Sequence, residues 1–231
     1  MKRLLTAALL CVLTGLQPAR AGDVLDRIVA IVNNTPILLS DWDEAWRCEA
    51  LMAGRTLESY SEAEKQEVFQ RLVDQELLRQ QMRSYMLTPV PASDVQAEVK
   101  EVREQLAKGD DARWQKLLEG AGLTEDELTR RLRHQLEVER FVDARFRATI
   151  RVDDHAVARY YRDEFLPEVH KAGGKDVPLE EVSGKIREIL IEQRMNEQLN
   201  NWIQSLREQA DIQIPEGIHS AETGTGNSQS Q

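Results

Sequence analysis

The sequence is poor in cysteine, in aromatic residues and in basic charge. It has 2 cysteines, and aromatic residues make up 5% of its 231 residues, whereas charged residues make up 30%. Cys11 lies in an N-terminal apolar run and Cys48 in a predicted helix, so no disulfide is expected, and Cys48 is predicted to be a small core residue. This composition favours charged helices with thin apolar stripes and disfavours a large enzyme core.

Acidic residues outnumber basic ones, with 40 Asp and Glu against 30 Lys and Arg and a formal net charge of −10. Nucleic-acid binding depends on clustered Lys and Arg, so no nucleic-acid partner is expected. The histidines His134, His155, His170 and His219 lie on different segments without the spacing of metal ligands. No nucleophile with a nearby base is visible, so the sequence predicts no catalytic residue, no metal site and no cofactor.

Residues 1–21 have the features of a secretory signal peptide. Lys2 and Arg3 precede an apolar run from Leu4 to Leu13, and Ala19-Arg20-Ala21 offers a small-residue cleavage site. The run is much shorter than the ~20 residues that a bilayer span requires. We therefore expect cleavage before Gly22, export of the mature chain and no stable membrane insertion.

The stretch "DRIVAIVNNTPILLSDWDEA" predicts a β-hairpin followed by a helix. The β-branched run Ile28–Val32 is typical of a strand, and Asn33-Asn34 tolerate the left-handed backbone of a tight turn. Pro36 cannot donate to a ladder, so the returning strand is expected at a sheet edge. Ser40 is the predicted N-cap of the next helix. An isolated hairpin is marginal in water, so this one needs cover.

The middle of the chain predicts several amphipathic helices. Three sequences read as capping boxes, at Ser61–Glu64, Ser93–Gln96 and Thr124–Glu127, and Asp153 or Asp154 caps a further helix. A last helix is predicted from Leu179 to Gln209. Behind it, "ADIQIP" alternates apolar and polar residues as a short half-buried strand does. We predict that Ile212 and Ile214 pair with the N-terminal hairpin, so that both ends of the chain meet in one small sheet.

The predicted fold is mainly α, with a multi-helix body and a small β-sheet formed by the N-terminal hairpin and the C-terminal strand. The signal peptide is assigned to residues 1–21, the hairpin and helical region to 22–166, and a linker to 167–178. Residues 179–215 form the closing helix and strand, and residues 216–231 are expected to be disordered because they have no apolar periodicity.

Both ends of the chain carry a family resemblance. "DRIVAIVNNTPILLSDWDEA" and "VSGKIREILIEQRMNEQLNNWIQSLREQADIQI" resemble the chaperone module of SurA-type periplasmic proteins, over nearly all of residues 23–215. In that family one or more parvulin-type prolyl isomerase domains usually precede the last helix. Here the corresponding segment, 167–178, is too short for a folded domain. The resemblance therefore implies chaperone activity in the periplasm and argues against isomerase activity.

This resemblance implies an ATP-independent chaperone that binds unfolded outer-membrane or periplasmic proteins. Such binding needs exposed apolar and adaptable side chains. The candidates for peptide contact are Met52, Met82, Tyr85, Met86, Tyr160 and Tyr161. The alternatives are a prolyl isomerase and a dedicated scaffold subunit for one envelope protein. A homodimer that exchanges terminal segments is a further alternative, because the pairing segments lie far apart in sequence.

Overall fold

A three-stranded antiparallel sheet joins the two ends of the chain. A computed structural model describes residues 26–85 and 88–215. The predicted hairpin is confirmed, with β1 at Ile28–Val32, β2 at Thr35–Leu38 and positive φ angles at both turn asparagines. The predicted return of the C-terminal strand is confirmed for Ile212, because β3 (Ile212–Gln213) pairs with β1 in the sheet order β2-β1-β3. Ile214 does not pair as predicted; it lies just beyond β3 and packs against the apolar cluster of the sheet. The signal peptide and the tail lie outside the described residues.

Pro36 lies on the free edge of this sheet, as expected. Ile31 stands opposite Pro36 on one side and Gln213 on the other. Main-chain groups in a strand alternate between its two neighbours, and the Asn33 N–H donates to the Asp211 carbonyl across the β3 side. The main-chain groups of Pro36 therefore point away from β1, towards the free edge of the sheet, and proline has no N–H to donate there. The edge is consequently protected against further strand addition.

The rest of the described chain is helical. Five helices follow the hairpin: α1 at Leu39–Met52, α2 at Glu62–Met82, α3 at Ala92–Ala107, α4 at Asp111–Ala121 and α5 at Glu125–Phe146. Then come α6 at Asp154–Tyr160, α7 at Leu166–Lys171 and α8 at Leu179–Gln209, with 3₁₀ turns at Leu57–Ser59 and Arg147–Thr149. The predicted mainly α class and the predicted bounds of the last helix are confirmed. Among the described residues, no helix combines the length and the apolarity that a membrane span requires.

The capping predictions were only partly right. Ser61, Thr124 and Asp153 each accept an N–H of the first helical turn, as predicted. Ser40 is not an N-cap, because the Asp41 carboxylate accepts the Leu38 N–H and α1 begins before Ser40. The prediction of a capping box at Ser93–Gln96 is also wrong.

The helix that was expected to begin at this box, α3, begins earlier. Its N-cap is Pro91, and the Ser93 hydroxyl donates to Asp94 instead of closing a box. The Pro91 carbonyl accepts the N–H groups of Asp94 and Val95. The ring of Pro91 holds its φ near a helical value, which suits a helix start at this residue.

The segment after α6 is more helical than the sequence suggested. A π-helical segment, Tyr161–Phe165, joins α6 directly to α7, so helix extends through Pro167 as far as Lys171. Proline lacks the N–H for an i→i−4 bond and crowds the preceding turn, and a widened π turn relieves this crowding. Residues 167–171 of the predicted linker are therefore helical, and only residues 172–178 of it are irregular.

The apolar residues form three clusters. The first unites α1, α3, α4 and the start of α5 around Trp114, which is fully buried. The second packs the sheet against Phe69 of α2 and against Leu206 of α8. The third joins the end of α2, the end of α5 and the middle of α8 around Phe141. Because α2 and α8 each take part in two clusters, they connect the sheet to the helical body.

Trp202 and Arg207 attach α8 to the rest of the molecule. The Trp202 ring lies 5.7 Å from the Phe141 ring and 5.8 Å from the Phe146 ring, centroid to centroid. The Arg145 guanidinium stacks over the same indole at 3.9 Å. Five residues further along α8, Arg207 donates to the Asp74 carboxylate and to the Gln70 carbonyl on α2. These contacts place β3 beside β1.

Replacing Trp202 with alanine should destabilise the whole fold. The substitution removes two aromatic contacts and a cation–π contact, which together should lower the free energy of unfolding by about 3 kcal/mol. Urea unfolding followed by far-UV circular dichroism measures this loss. The matched control is Ile189→Ala on the same helix, where the side chain is 37% exposed and the expected loss is about 0.5 kcal/mol or less. Equal losses in the two variants would show that α8 does not depend on Trp202.

A hydrogen-bonded carboxylate in the first turn of α2, that of Glu64, should make the stability of the fold depend on pH. Hydrogen bonds from Arg55, and then from the Ser61 N–H and hydroxyl, lower the pKa of Glu64 to about 2. A carboxyl group whose pKa is depressed on folding stabilises the fold above its unfolded value of about 4.3, and this contribution disappears as the pH falls towards 2. We expect Arg55→Gln to raise the pKa of Glu64, measured by NMR titration. Hydrogen bonds from Thr124 lower the pKa of Glu127, and this pKa should not change in the Arg55→Gln variant. An ordinary pKa for Glu64 in the parent protein would contradict this account.

Candidate functional site: a groove between three helices

A groove runs between α1, α2 and α5, and we call it the central groove. It has an apolar half of about 330 Å³ and a polar half of about 320 Å³, which share Gln75, Arg131 and His134. The apolar half is also lined by Cys48, Glu49, Met52, Leu128, Leu132, Gln135, Val138 and Glu139. The polar half is also lined by Pro36, Ile37, Asp41, Glu44, Leu72, Glu76 and Arg79.

Helical spacing brings these side chains to one place. Glu44, Cys48 and Met52 recur every four residues and so lie along one face of α1. Leu128, Leu132 and Gln135, at steps of four and three residues, likewise lie along one face of α5. Each helix contributes one stripe, and the groove is the space that the stripes leave between them.

The base of the apolar half is closed, whereas its rim is open. Cys48, Leu128 and Leu132 are at most 2% exposed, while Met52 is 41% exposed. Burial raises the pKa of the Cys48 thiol to about 11. The thiol is therefore protonated at neutral pH and serves as apolar surface instead of as a nucleophile. This confirms the prediction that Cys48 is a core residue.

The polar half contains a hydrogen-bonded carboxylate that links the groove to the sheet. Glu76 is buried, forms a salt bridge with Arg79 at 2.6 Å and accepts from the Gln80 amide at 2.7 Å. The same amide donates to the Val32 carbonyl of β1 at 3.0 Å. A buried charge needs such partners, because an unpaired one costs several kcal/mol.

Two further titratable groups face the groove. Burial raises the pKa of Glu44, although Arg130 at 3.6 Å opposes this effect. Burial also lowers the pKa of His134, which is therefore mostly neutral at pH 7. A neutral imidazole and the Gln75 and Gln135 amides offer donors and acceptors that suit the main chain of a bound peptide.

The structure does not bring the predicted contact residues together. Met52 lines the central groove, whereas Met82 and Tyr85 line a separate pocket of about 230 Å³ beside Pro89. Tyr160 lines a third site of about 260 Å³ between α6 and α8. Tyr161 stacks on Phe165 and donates to the Val177 carbonyl. Met86 lies outside the described residues.

Tyr85 has a structural contact as well as an exposed surface. It is 41% exposed, yet its ring meets Phe141 edge to face at 5.0 Å and its hydroxyl accepts from Arg145 at 2.5 Å. It thereby helps to hold Arg145 over Trp202. A peptide contact by Tyr85 stays a prediction.

Sequence reasoning missed most of the central groove. Leu128 and Leu132 were visible only as part of an apolar stripe, which is also typical of a sealed core, and Val138 was not singled out. Gln75, Arg131 and His134 gave no signal, because polar residues on a helix are normally solvated. The recurrence of Glu44, Cys48 and Met52 was the one available hint, since it places an acid, a thiol and a thioether on the same face.

The arrangement is suited to non-covalent binding. In the described part of the chain, no group of three or more His, Cys, Asp or Glu residues is placed to hold a metal ion. The groove offers an apolar base, an exposed thioether and several amide and guanidinium groups. Such a surface can hold an apolar side chain together with a length of extended main chain.

Comparison with known proteins identifies the family. Residues 3–142 match the family model described as SurA-like N-terminal domain, and the match ends within α5. No parvulin-type isomerase domain is matched. A search of curated proteins gives no match. Because the matched residues make up more than half of the sequence, the chain belongs to the SurA-like N-terminal domain family, a family of the chaperone type.

Proposed function

We propose that the protein is a periplasmic, ATP-independent chaperone that binds unfolded outer-membrane proteins in its central groove and aids their folding or delivery. The observation that carries the proposal is the open apolar half of the groove, with Met52 at its rim and a closed base beneath it. The family membership supports the chaperone class. The strands of outer-membrane proteins alternate apolar and polar residues and aggregate when they are exposed to water.

The length of the groove suits a short extended segment. From Asp41 to Met52, α1 runs about 16 Å at 1.5 Å per residue. An extended chain rises about 3.3 Å per residue, so about five residues of a client fit along it. Burying one or two apolar side chains of such a segment gives weak binding that reverses without nucleotide hydrolysis.

The domain assignment and the location are parts of the same proposal. Residues 1–21 act as a cleaved signal peptide, 22–166 form the chaperone region, and 179–215 complete it through α8 and β3. The segment 167–178 takes the place of an isomerase domain, so activity does not depend on proline isomerisation. The pairing of β3 with β1 supports treating both ends as one unit.

Replacing Met52 with glutamine should weaken the chaperone activity. The variant keeps the side-chain length but places an amide where an apolar client group binds, which should lower affinity about tenfold. The assay is light scattering by an outer-membrane protein diluted from urea, with the mature chain in increasing molar excess. We expect the variant to need several times more protein than the parent to halve the scattering.

The matched control is Ile189→Gln, which changes a similarly exposed apolar side chain on α8 outside the groove. This control should suppress scattering as well as the parent does. Loss of activity in the control but not in Met52→Gln would place the binding site on the exposed surface of α8 around Ile189. A parent protein that never delays scattering would refute the chaperone function itself.

A further inference from the structure

The central groove carries more negative than positive charge. Five carboxylates and two guanidinium groups line its two halves. The carboxylates belong to Asp41, Glu44, Glu49, Glu76 and Glu139, and the guanidinium groups to Arg79 and Arg131. An apolar surface bordered by one sign of charge attracts ligands of the opposite sign, because its low-dielectric walls focus the field.

Three of these carboxylates already have basic partners. Glu76 pairs with Arg79 at 2.6 Å inside the groove. Glu44 pairs with Arg130 at 3.6 Å, and Glu49 pairs with Arg71 at 2.5 Å, in both cases with a guanidinium that lies outside the lining. A cationic ligand would gain little electrostatic attraction from these three carboxylates.

The other two carboxylates lie in different halves of the groove and have no such partner. Asp41 in the polar half accepts the Leu38 N–H at 2.9 Å, and Glu139 in the apolar half accepts the Gln135 amide at 3.0 Å. Within residues 26–85 and 88–215, neither has a Lys or Arg nitrogen within 4.0 Å. Arg131, which lines both halves, likewise has no carboxylate within that distance among the described residues.

We propose that the central groove selects apolar segments that carry lysine or arginine on their flanks. This inference rests on the proposed function and names the class of sequence that the same groove prefers. The apolar residues of the segment occupy the region of Met52 and Leu132, and the flanking cations approach Asp41 and Glu139. The Arg131 guanidinium between the two halves donates to main-chain carbonyls of the segment.

The same geometry disfavours acidic flanks. A glutamate at either end of the segment would face the carboxylate of Asp41 or Glu139, neither of which has a basic partner among the described residues. Like charges at such close range are unfavourable, and they suppress wrong partners more than they change the apolar contact.

The test compares three labelled peptides of seven residues that share one apolar core and differ only in their flanks, which are lysine, glutamine or glutamate. Fluorescence anisotropy measures the binding of each to the mature chain at about 20 mM and at about 500 mM salt. We expect the lysine peptide to bind about tenfold more tightly than the glutamate peptide at low salt, with the glutamine peptide between them. High salt should remove most of this difference.

Two variants distinguish the effect of the charges in the groove from the effect of the overall charge of the protein. Glu139→Gln should reduce the lysine-to-glutamate ratio at least threefold. Glu192→Gln removes the same charge from an exposed position on α8, outside the lining of the groove, and should leave the ratio unchanged. An equal reduction in both variants would mean that long-range charge, and not the groove, sets the preference.

The outcomes distinguish this inference from the proposed function. Equal binding of all three peptides, or tighter binding of the glutamate peptide, would overturn the charge preference while the chaperone function stands. Failure of every peptide to bind, together with failure of the mature chain to delay scattering, would overturn both.

Discussion

The pairing of β3 with β1 is the constraint on which the rest of the structure depends. A two-stranded hairpin is marginal in water, and β3 adds only two paired residues, Ile212 and Gln213. The sheet is stable because α8 brings β3 into place with its own apolar contacts. Trp202 packs against α5, and Arg207 bonds to α2, so ordering β3 requires only a few additional residues to be fixed.

The pairing of the two chain ends influences the groove through α2, which contacts both the sheet and the groove. Phe69 and Glu76 lie seven residues apart and therefore on the same side of α2; Phe69 packs under the sheet, and Glu76, together with Arg79, lines the polar half. Gln80 connects the two, because its amide bonds both to Glu76 and to the Val32 carbonyl of β1. The position of one groove wall is therefore set by the sheet, and a groove between helices depends on strands at the ends of the chain.

The sequence predicted local structure better than it predicted the site. The hairpin, the strand at Ile212 and the caps at Ser61 and Thr124 follow from short-range chemistry that one segment contains. Ser40 failed as a cap because α1 begins at Leu39, so that Ser40 lies in the first turn, where its N–H and hydroxyl donate to the Asp26 carboxylate; residue type alone does not reveal such a partner. The groove was not predictable, because periodicity shows which face of a helix is apolar but not whether another helix covers it. Leu132 and Met52 have the same kind of pattern, yet one is sealed and the other is open.

In the proposed chaperone function, an acidic groove would also help the protein to remain available to clients. The chain has a formal net charge of −10, and an acidic surface of a second copy would be repelled at the groove. An apolar groove without this border would attract the apolar surfaces of other copies as readily as those of a client. On this proposal the carboxylates of Asp41 and Glu139, which have no basic partner among the described residues, would act in two ways: they would disfavour acidic surfaces, including those of this protein, and they would favour basic segments. Specificity then arises from what the groove repels as much as from what it contacts.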